Sequence, residues 1–323
     1  MLCGCVYQFG SFGSSEGRTL SQQPVSKQIR GLIRLTRWKE YLPFVIPLTI
    51  LGALLAAYHG DAYLDLRLIP VTLANIAAVA YAFMINDIED APDDALDPDR
   101  AARNPITMGE IDVKFGYNAT RIVALFTLVL YAFGGTSVFL IGAATLLLSH
   151  LYSWRPVRLK AYPITDVVSH SLMLSGLLLM AGYYLYHSQP GVVWLVAAGA
   201  TLFSVYGQLY NQLRDYEMDK EAGLHNTAII LGETNTRRVI NLIIILALFC
   251  IVLAVLNNAF PIWLAGAFIA GIPISMLFRS ETDMRGTQAI DASGTIQMQS
   301  MIVVNVVVLA WLGWALLTQF AII

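Results

Sequence analysis

The chain has 323 residues, of which 57% are hydrophobic and only 13% are charged, and its mean hydropathy is +0.62. Soluble domains carry about 25% charged residues, so this composition excludes an ordinary soluble protein and predicts an integral membrane protein. The formal net charge is −2 and no block of basic residues occurs, so nucleic acid is not an expected partner. Three cysteines do not form a disulfide framework.

The first 26 residues are rich in Ser, Gly and Gln. They lack the basic start, the apolar stretch and the small-residue cleavage site of a signal peptide. We predict that residues 1–26 form a disordered tail, or an extension upstream of the true start, without a function. Residues 27–323 are predicted to form one membrane domain.

A helix needs about 20 apolar residues to cross a bilayer. Segments of this kind occur at 41–58, 68–85, 115–133, 137–152, 167–186, 192–210, 239–256, 260–278 and 301–322. The segment 137–152 is the shortest, because Gly134-Gly135 and Trp154-Arg155-Pro156 crowd its ends. The sequence therefore predicts an all-α, polytopic membrane bundle of nine transmembrane helices.

The distribution of basic residues supports this count and gives an orientation. Lys and Arg precede the first span and recur in every second loop, whereas the intervening loops contain only Arg67. Basic loops favour the cytoplasmic side of a membrane. We therefore expect a multi-pass protein of the cytoplasmic membrane, with its amino terminus inside and its carboxyl terminus outside.

Two polar triplets with the same spacing follow the apolar runs 68–85 and 201–210: Asn86, Asp90 and Asp94, then Asn211, Asp215 and Asp219. Steps of four residues drift by only about 40° around a helix, so each triplet is predicted to line one stripe of a helix end. Each triplet closes an even-numbered span on the cytoplasmic side, which indicates two related four-helix units with a ninth helix appended. Coincidence is the alternative, since Asn and Asp are common after helix ends.

Carboxylates in such places are costly and are usually retained for a function. Magnesium commonly takes one or two carboxylates together with phosphate oxygens of a substrate. Two acidic stripes that face each other could therefore hold divalent cations and, through them, a diphosphate, and Asn86 and Asn211 could add carbonyl ligands without charge. Because Pro92 lies between Asp90 and Asp94, we expect the first stripe to bend before Asp94.

Other charged residues accompany the triplets. Asp87 is expected to point off the first stripe, and the remaining acids are interpreted as solvated loop charges: Glu89, Asp93, Asp97, Asp99 and Glu217. Basic residues in the same loops could donate charge-assisted hydrogen bonds to phosphate oxygens: Arg103, Arg158, Lys160, Arg214 and Lys220. The alternative is that basic residues only set topology, which we favour for Arg155, Arg237 and Arg238.

Two aromatic side chains lie near the predicted site on the cytoplasmic side. Tyr152 could bond a phosphate or face a cation with its ring, although tyrosines are also common at membrane interfaces. His170, in the first turns of the fifth span, is interpreted as a bundle residue rather than as a base.

Four motifs in this order resemble those of the UbiA superfamily of intramembrane prenyltransferases, from about residue 28 onward. The pattern N-D-x-x-D-x-x-x-D is met by Asn86, Asp87, Asp90 and Asp94. An Arg-Pro-Ile segment is similar to Arg103-Asn104-Pro105-Ile106, here with an inserted Asn, followed by Gly109. The Tyr-Ser-x-x-Pro-x-Lys/Arg-x-Lys segment is met by Tyr152, Ser153, Pro156, Arg158 and Lys160. The second acidic motif is met by Arg214, Asp215, Glu217, Asp219, Gly223 and, one residue late, Thr227.

The resemblance implies nine helices around a central cavity and a Mg²⁺-dependent transfer of a polyprenyl group from its diphosphate to a lipophilic acceptor, with release of pyrophosphate. It implies that Asp90 and Asp94 hold one ion and Asp215 and Asp219 another, with the two asparagines assisting and the basic residues gripping the diphosphate. The acceptor stays open among quinone precursors, carotenoids, chlorophyllides and glycerophospholipids. No obligate protein partner is indicated.

Two other classes of protein are compatible with parts of this pattern. A cation-coupled transporter could use the acidic clusters as ion sites, but such sites usually lie near the midplane of the bilayer on broken helices. Here the acids lie at one face and the centres of the spans lack charge. A non-catalytic lipid-binding or scaffolding protein is disfavoured by the presence of both acidic motifs.

Overall fold

The computed structural model describes residues 25–60, 62–221, 223–277, 281, 283 and 288–320. The predicted tail lies outside these residues except for Val25 and Ser26, which begin the first helix. Within the described part of the chain, eight helices are long and apolar enough to cross a membrane, and a shorter apolar helix, Leu264–Leu277, coincides with the eighth predicted span. The prediction of an all-α membrane bundle is confirmed, whereas the count of nine spans stays a prediction.

The helices occur in the order α1 Val25–Thr36, α2 Leu42–Gly60, α3 Leu68–Asp94, α4 Pro98–Arg103, α5 Val113–Ala132, α6 Thr136–Ser153, α7 Thr165–Ser171, α8 Leu177–Tyr183, α9 Val193–Arg214, α10 Tyr216–Glu221, α11 Thr227–Leu231, α12 Glu233–Leu256, α13 Leu264–Leu277 and α14 Ala292–Phe320. A π-helical turn, Leu172–Gly176, joins α7 to α8, so the two form one span, Thr165–Tyr183. Short 3₁₀ turns lie at Trp38–Glu40 and Leu159–Ala161.

The two predicted four-helix units stay a prediction, because the eighth predicted span, α13, packs mainly against α14 in the described part of the chain. In the first unit α3 packs against α2, α5 and α6, and in the second α9 packs against α12. The units meet where α8 packs against α2 and α6. The last helix, α14, packs against α13 and also against α2, so it joins the end of the chain to its first span.

The contact between α2 and α8 depends on two glycines. A Cβ atom at Gly52 would lie 2.0 Å from the carbonyl oxygen of Leu179, and one at Gly182 would lie 2.1 Å from that of Thr49. Each glycine therefore meets the backbone of the other helix. Small residues of this kind let membrane helices approach closely enough for favourable van der Waals packing.

A buried polar network joins four helices near the same contact. The side-chain amide of Asn75 on α3 donates to Thr49 Oγ1 on α2 at 2.7 Å and to the carbonyl oxygen of Leu178 on α8 at 3.0 Å. The hydroxyl of Tyr131 on α5 donates to Asn75 Oδ1 at 2.7 Å. Hydrogen bonds between membrane helices contribute about 0.6–2 kcal/mol each, so the network helps to fix the positions of these spans.

The helix α1 precedes the first span and is attached to the loop that follows α4. Its buried Gly31 leaves room for Ile111, whose side chain would lie 2.7 Å from a Cβ at that position. Arg34 forms an ion pair with Glu110 and donates to the carbonyl oxygens of Ala102 and Arg103 at 3.1 and 3.4 Å. Because these carbonyls end α4, the guanidinium of Arg34 satisfies acceptors that the helix leaves free.

The first acidic stripe is unbroken. The helix α3 continues through Pro92 to Asp94, so the predicted bend before Asp94 is wrong. Proline removes one helical hydrogen bond, but Pro92 lies in the last turn, where only two helical residues follow it. The backbone of Ala95 still donates to the carbonyl oxygen of Ala91 at 3.1 Å and completes this turn.

The second stripe is interrupted, although it contains no proline. The helix α9 ends at Arg214, Asp215 has φ −93° and ψ 9°, and α10 begins at Tyr216. The interruption is one residue long, because Asp215 N still donates to Asn211 O at 3.1 Å and Asp219 N to Asp215 O at 2.8 Å. The three polar residues of the second motif therefore stay on neighbouring turns.

Candidate functional site

The first acidic motif surrounds a lysine ammonium group. Lys160 Nζ donates to Asn86 Oδ1 at 2.8 Å and to both carboxylate oxygens of Asp90 at 2.6 Å. The hydroxyl of Ser153, at the end of α6, also donates to Asn86 Oδ1 at 3.2 Å. Burial lowers the pKa of Lys160, and the negative charge of Asp90 opposes this effect. The motif thus brings three oxygens of two side chains onto one cation.

Two arginines of the loop after α6 bind acids of the same part of α3. Arg158 donates to Asp90 at 3.0 Å and to Asp93 at 2.6 Å, and Arg155 donates to Asp93 at 3.1 Å. Arg158 adopts a left-handed backbone conformation with φ 43°, which costs energy for a residue with a side chain. The loop is therefore held in a specific shape that turns its basic side chains toward α3.

The last acid of the first motif is held by an asparagine. Asn104 is buried, and its amide donates to Asp94 Oδ2 at 2.8 Å and to the carbonyl oxygen of Asp87 at 2.7 Å. Its own Oδ1 accepts from Ile106 N at 2.9 Å. Asp87 points away from the stripe as expected and accepts from Arg37 at 3.4 Å.

In the second motif, Asp215 is paired with the arginine that precedes it. Arg214 donates to Asp215 Oδ1 at 3.0 Å and to Oδ2 at 3.2 Å, and its third nitrogen donates to Asp283 at 2.8 Å. Asp283 is only 1% exposed and comes from the segment between α13 and α14. A third part of the chain therefore reaches the second motif.

Asp219 is buried and is bound from two sides. Arg100 Nη2 donates to Asp219 Oδ1 at 3.1 Å, and Asn226 Nδ2 donates to Asp219 Oδ2 at 2.9 Å. Burial raises the pKa of Asp219, the neighbouring Asp215 adds to this effect, and Arg100 and Asn226 oppose it.

Arg100 brings the two acidic motifs together. It lies on α4, six residues after the end of the first motif, and its guanidinium contacts the last acid of the second. Its positive charge also acts on Asp94. Arg100 therefore links α4, which follows the first motif, to the last acid of the second motif, and its charge also acts on the first motif.

The other predicted site residues make fewer contacts with the two acidic motifs. Arg103 and Lys220 are exposed, and Asn211 is half-buried on the last turn of α9. Tyr152 is half-buried: its hydroxyl accepts from Gln208 at 3.4 Å, and its ring lies 5.9 Å from that of His170. Tyr152 and His170 thus lie side by side between α6 and α7.

One interpretation of the acidic residues is wrong. Glu89, taken as a solvated charge, is only 5% exposed and accepts from the hydroxyl of Tyr117 at 2.7 Å and from Arg155 N at 3.2 Å. The residue lies on the face of α3 that packs against α5, so its burial follows from helix packing that the local sequence does not display. Asp97, by contrast, caps α4 by accepting from Arg100 N at 3.0 Å and from the amide of Asp99.

Thr227, the last residue of the second motif, contacts a buried carboxylate outside the two motifs. It donates to Asp166 from its backbone at 2.7 Å and also from its hydroxyl. Gln212 donates to the same buried carboxylate at 2.7 Å. Asp166 therefore joins the start of α7 to α9 and α11, behind the acidic stripe.

The oxygen atoms of the two motifs fit magnesium if phosphate oxygens of a substrate complete the coordination. Both motifs offer oxygen atoms, which this ion prefers, and Lys160 shows that Asn86 and Asp90 converge on a cation. Among the described residues, no three His, Cys, Asp or Glu side chains are close enough to form a metal cage. Magnesium commonly takes one or two carboxylates from a protein together with phosphate oxygens of a substrate.

Fold and site together define a membrane-embedded helical bundle with two oxygen-rich motifs at one end, each paired with Lys or Arg side chains. Residues 45–292 match the model of the UbiA prenyltransferase family. The chain therefore belongs to this family of prenyl-transferring enzymes, and the resemblance seen in its motifs is confirmed.

Two relatives of known name are similar in sequence. The lycopene elongase/hydratase of Haloarcula japonica is 29% identical over 209 residues, which cover 64% of this chain and 68% of the relative. The lycopene elongase/hydratase of Haloferax volcanii is 27% identical over 212 residues, which cover 63% and 67%.

Solved structures confirm the fold. A UbiA homolog from Archaeoglobus fulgidus bound to GPP and Mg²⁺ has a TM-score of 0.69 at 20% identity and covers 88% of this chain and 98% of its own. The apo structure of a UbiA homolog from Aeropyrum pernix K1 has a TM-score of 0.61 at 17% identity, with coverages of 86% and 97%.

Proposed function

We propose that this protein transfers a prenyl group from a prenyl diphosphate to a carotenoid-type polyene, with Mg²⁺ as its cofactor and pyrophosphate as the second product. The contact of Arg100, which closely follows the first motif, with Asp219 of the second motif carries this proposal, because a diphosphate and its cations need oxygens from two sides. The polyene acceptor is supported by the two lycopene elongase/hydratase relatives.

The ligands of the ions would be the residues of the two stripes: Asn86, Asp90 and Asp94 for one, and Asn211, Asp215 and Asp219 for the other. When bound, Mg²⁺ would neutralise the charge that develops on the leaving diphosphate. Lys160 and Arg158 already lie at the first stripe, and their ammonium and guanidinium groups can donate to phosphate oxygens. Tyr152 would face the allylic end of the donor with its ring.

The proposed reaction balances without a redox partner. The allylic carbon–oxygen bond of the donor breaks, and its electron pair leaves with pyrophosphate. The π electrons of an acceptor double bond form the new carbon–carbon bond, and the resulting cation loses a proton or adds water. The apolar helices around the site would keep bulk water from the allylic cation before the acceptor attacks.

The orientation of the protein belongs to the same proposal. The site lies at the ends of α3, α6 and α9, which the distribution of basic residues assigns to the cytoplasmic side. A water-soluble diphosphate headgroup would then enter from the cytoplasm, while the prenyl tail and the acceptor stay in the bilayer.

The test uses the purified full-length protein in lipid nanodiscs with dimethylallyl or geranyl diphosphate and lycopene. We expect pyrophosphate release and a lycopene product heavier by the prenyl unit, both dependent on Mg²⁺ and both lost with EDTA. Pyrophosphate release with a product on a different acceptor, such as a quinone precursor, would refute the polyene acceptor and keep the transferase. Absence of release with every acceptor would refute the transferase.

A further inference from the structure

The last acid of each motif has the same kind of partner. Asp94 accepts from Asn104 Nδ2 at 2.8 Å, and Asp219 accepts from Asn226 Nδ2 at 2.9 Å. Both contacts are made to the Oδ2 atom of the carboxylate. Both asparagines are buried, with exposed fractions of 2% and 8%.

Each asparagine is itself fixed by the backbone that follows it. Asn104 Oδ1 accepts from Ile106 N at 2.9 Å, and Asn226 Oδ1 accepts from Ile229 N at 3.0 Å, where it caps α11. Because the carbonyl oxygen of each amide is engaged, the NH₂ group can point in only one direction, which is toward the acid. The orientation of each donor is therefore determined by the chain.

The choice of asparagine has a chemical consequence. The segment that resembles Arg-Pro-Ile contains Asn104 directly before Pro105, and the neighbouring Arg103 is exposed. An arginine in contact with Asp94 would neutralise its charge, whereas a neutral amide holds one oxygen and leaves the negative charge available to a cation. Asn226 likewise holds Asp219 Oδ2 with a neutral amide, whereas Arg100 contacts the other oxygen of this carboxylate.

We infer that Asn104 and Asn226 are a matched pair of positioning residues, one for each motif, that orient Asp94 and Asp219 toward divalent cations. This inference rests on the proposed function and adds residues outside the two triplets. Partners of metal ligands typically contribute about 10–100-fold to metal affinity, so each amide has a measurable effect.

The test replaces each asparagine by serine. In Asn104→Ser and Asn226→Ser, the hydroxyl can still accept from the backbone two or three residues on, as serine does in turns and helix caps, but it is too short to reach the acid. Both variants thus remove the contact to the carboxylate and keep the local turn, and Asn104→Ser also removes the hydrogen bond to the carbonyl oxygen of Asp87. Asn118→Ala, which changes an exposed asparagine at the start of α5, serves as the matched control.

Two readouts separate positioning from stability. Binding of Mn²⁺ is measured by electron paramagnetic resonance on the purified protein, with and without a slowly reacting thiolodiphosphate analogue of the donor, and the melting temperature is measured in EDTA. We expect Mn²⁺ affinity to fall about 10–100-fold in each serine variant and to stay at the wild-type value in Asn118→Ala. The melting temperature in EDTA should stay close to that of the wild type in Asn226→Ser and should fall slightly in Asn104→Ser, because this variant also loses the hydrogen bond to the carbonyl oxygen of Asp87.

The failures of the two proposals can be told apart. If the wild type binds Mn²⁺ and both serine variants bind it with equal affinity, the inference on the asparagines is overturned and the transferase stands. If a serine variant loses affinity only in proportion to a lower melting temperature in EDTA, its role is structural and the inference is also overturned. If the wild type shows neither Mn²⁺ binding nor Mg²⁺-dependent pyrophosphate release, the proposed function itself fails.

Discussion

The two acidic motifs have the same spacing, yet they differ in the continuity of their helices and in where their Lys and Arg partners come from. The first lies at the end of one continuous helix, α3, and its cations come from the loop after α6. The second spans the junction of α9 and α10, and its cations are its own neighbour Arg214 and the distant Arg100. Two motifs of equal spacing therefore depend on basic side chains from different parts of the chain.

The basic partners of the two motifs also differ in how many carboxylates they pair with. Lys160 has a side chain that is 15% exposed and is paired with Asp90. Arg214, paired with Asp215, is also paired with the buried Asp283. Removal of Asp90 leaves a buried ammonium without its pair, whereas removal of Asp215 leaves Arg214 with a second carboxylate. The same substitution should therefore have a different effect on stability in the two motifs.

The largest effect is expected from Asp90→Ala and Asp215→Ala. Each removes a carboxylate from the proposed ion sites, so pyrophosphate release should fall by at least about 100-fold, beyond what partners of metal ligands contribute. Stability should separate the two. Asp90→Ala should lose about 3 kcal/mol, because the largely buried Lys160 loses its pair. Asp215→Ala should lose about 1 kcal/mol, because Arg214 keeps its pair with Asp283. Pyrophosphate release and denaturant titration in detergent measure these quantities.

Asp99→Ala is the matched control for both variants, because Asp99 is an exposed acid in the first turn of α4. It should change neither quantity. Wild-type turnover in Asp90→Ala or in Asp215→Ala would refute the assignment of the ion ligands. Equal losses of stability would refute the asymmetry of the two motifs.

The next largest effect is expected from Lys160→Met, which removes the cation of the first motif and keeps the length of the side chain. A charge-assisted hydrogen bond contributes about 1.5–3 kcal/mol, so the KM for the prenyl diphosphate should rise about 10–100-fold. Lys160→Arg keeps the charge and should recover part of the loss. Steady-state kinetics over a range of donor concentrations measures this, and an unchanged KM would exclude Lys160 from the diphosphate site.

A smaller effect should separate Arg100 from Arg103. Arg100→Ala removes the contact between the motifs and should lower kcat/KM about 10-fold, as the loss of one charge-assisted hydrogen bond at a partly exposed site does. Arg103→Ala changes an exposed side chain three residues further on and serves as its control. A larger loss in Arg103→Ala than in Arg100→Ala would restore the role that the sequence motif alone assigns to Arg103.

The smallest effect is expected from His170→Ala. A general base contributes about 10²–10⁴-fold to a rate, so a loss below about 10-fold would confirm that His170 is a bundle residue beside Tyr152. The turnover number at saturating donor and acceptor is the relevant quantity. A loss of 100-fold or more would identify a base on the side of the acceptor.

Much of the fold could be predicted from the sequence, because hydropathy directly reflects the thickness of the bilayer. The predicted span 68–85 begins where α3 begins, and the short segment 137–152 is the helix Thr136–Ser153. The ends of helices were predicted less well, because polar residues such as Asn86–Asp94 continue α3 beyond its apolar part. The break at Asp215 had no signal, since no proline or glycine lies there.

The site could be predicted only as far as its motifs. Spacing identified the two acidic triplets, and the motif Tyr152–Lys160 pointed to the basic loop that the structure places beside Asp90. Arg100, Asn104 and Asp283 were not predicted, because their partners are distant in sequence or their residue types carry no pattern. Contacts of this kind arise from tertiary packing, which a single sequence does not display.

The attachment of α1 has a practical consequence for work with shortened proteins. Arg34 connects α1 to the end of α4 and to Glu110, and α4 carries Arg100 to the second motif. A version that begins at the first membrane-crossing helix would therefore lose the contacts that hold α4 and Arg100 in place. Every predicted ion ligand would still be present in it. Affinity tags and cleavage sites belong upstream of Val25.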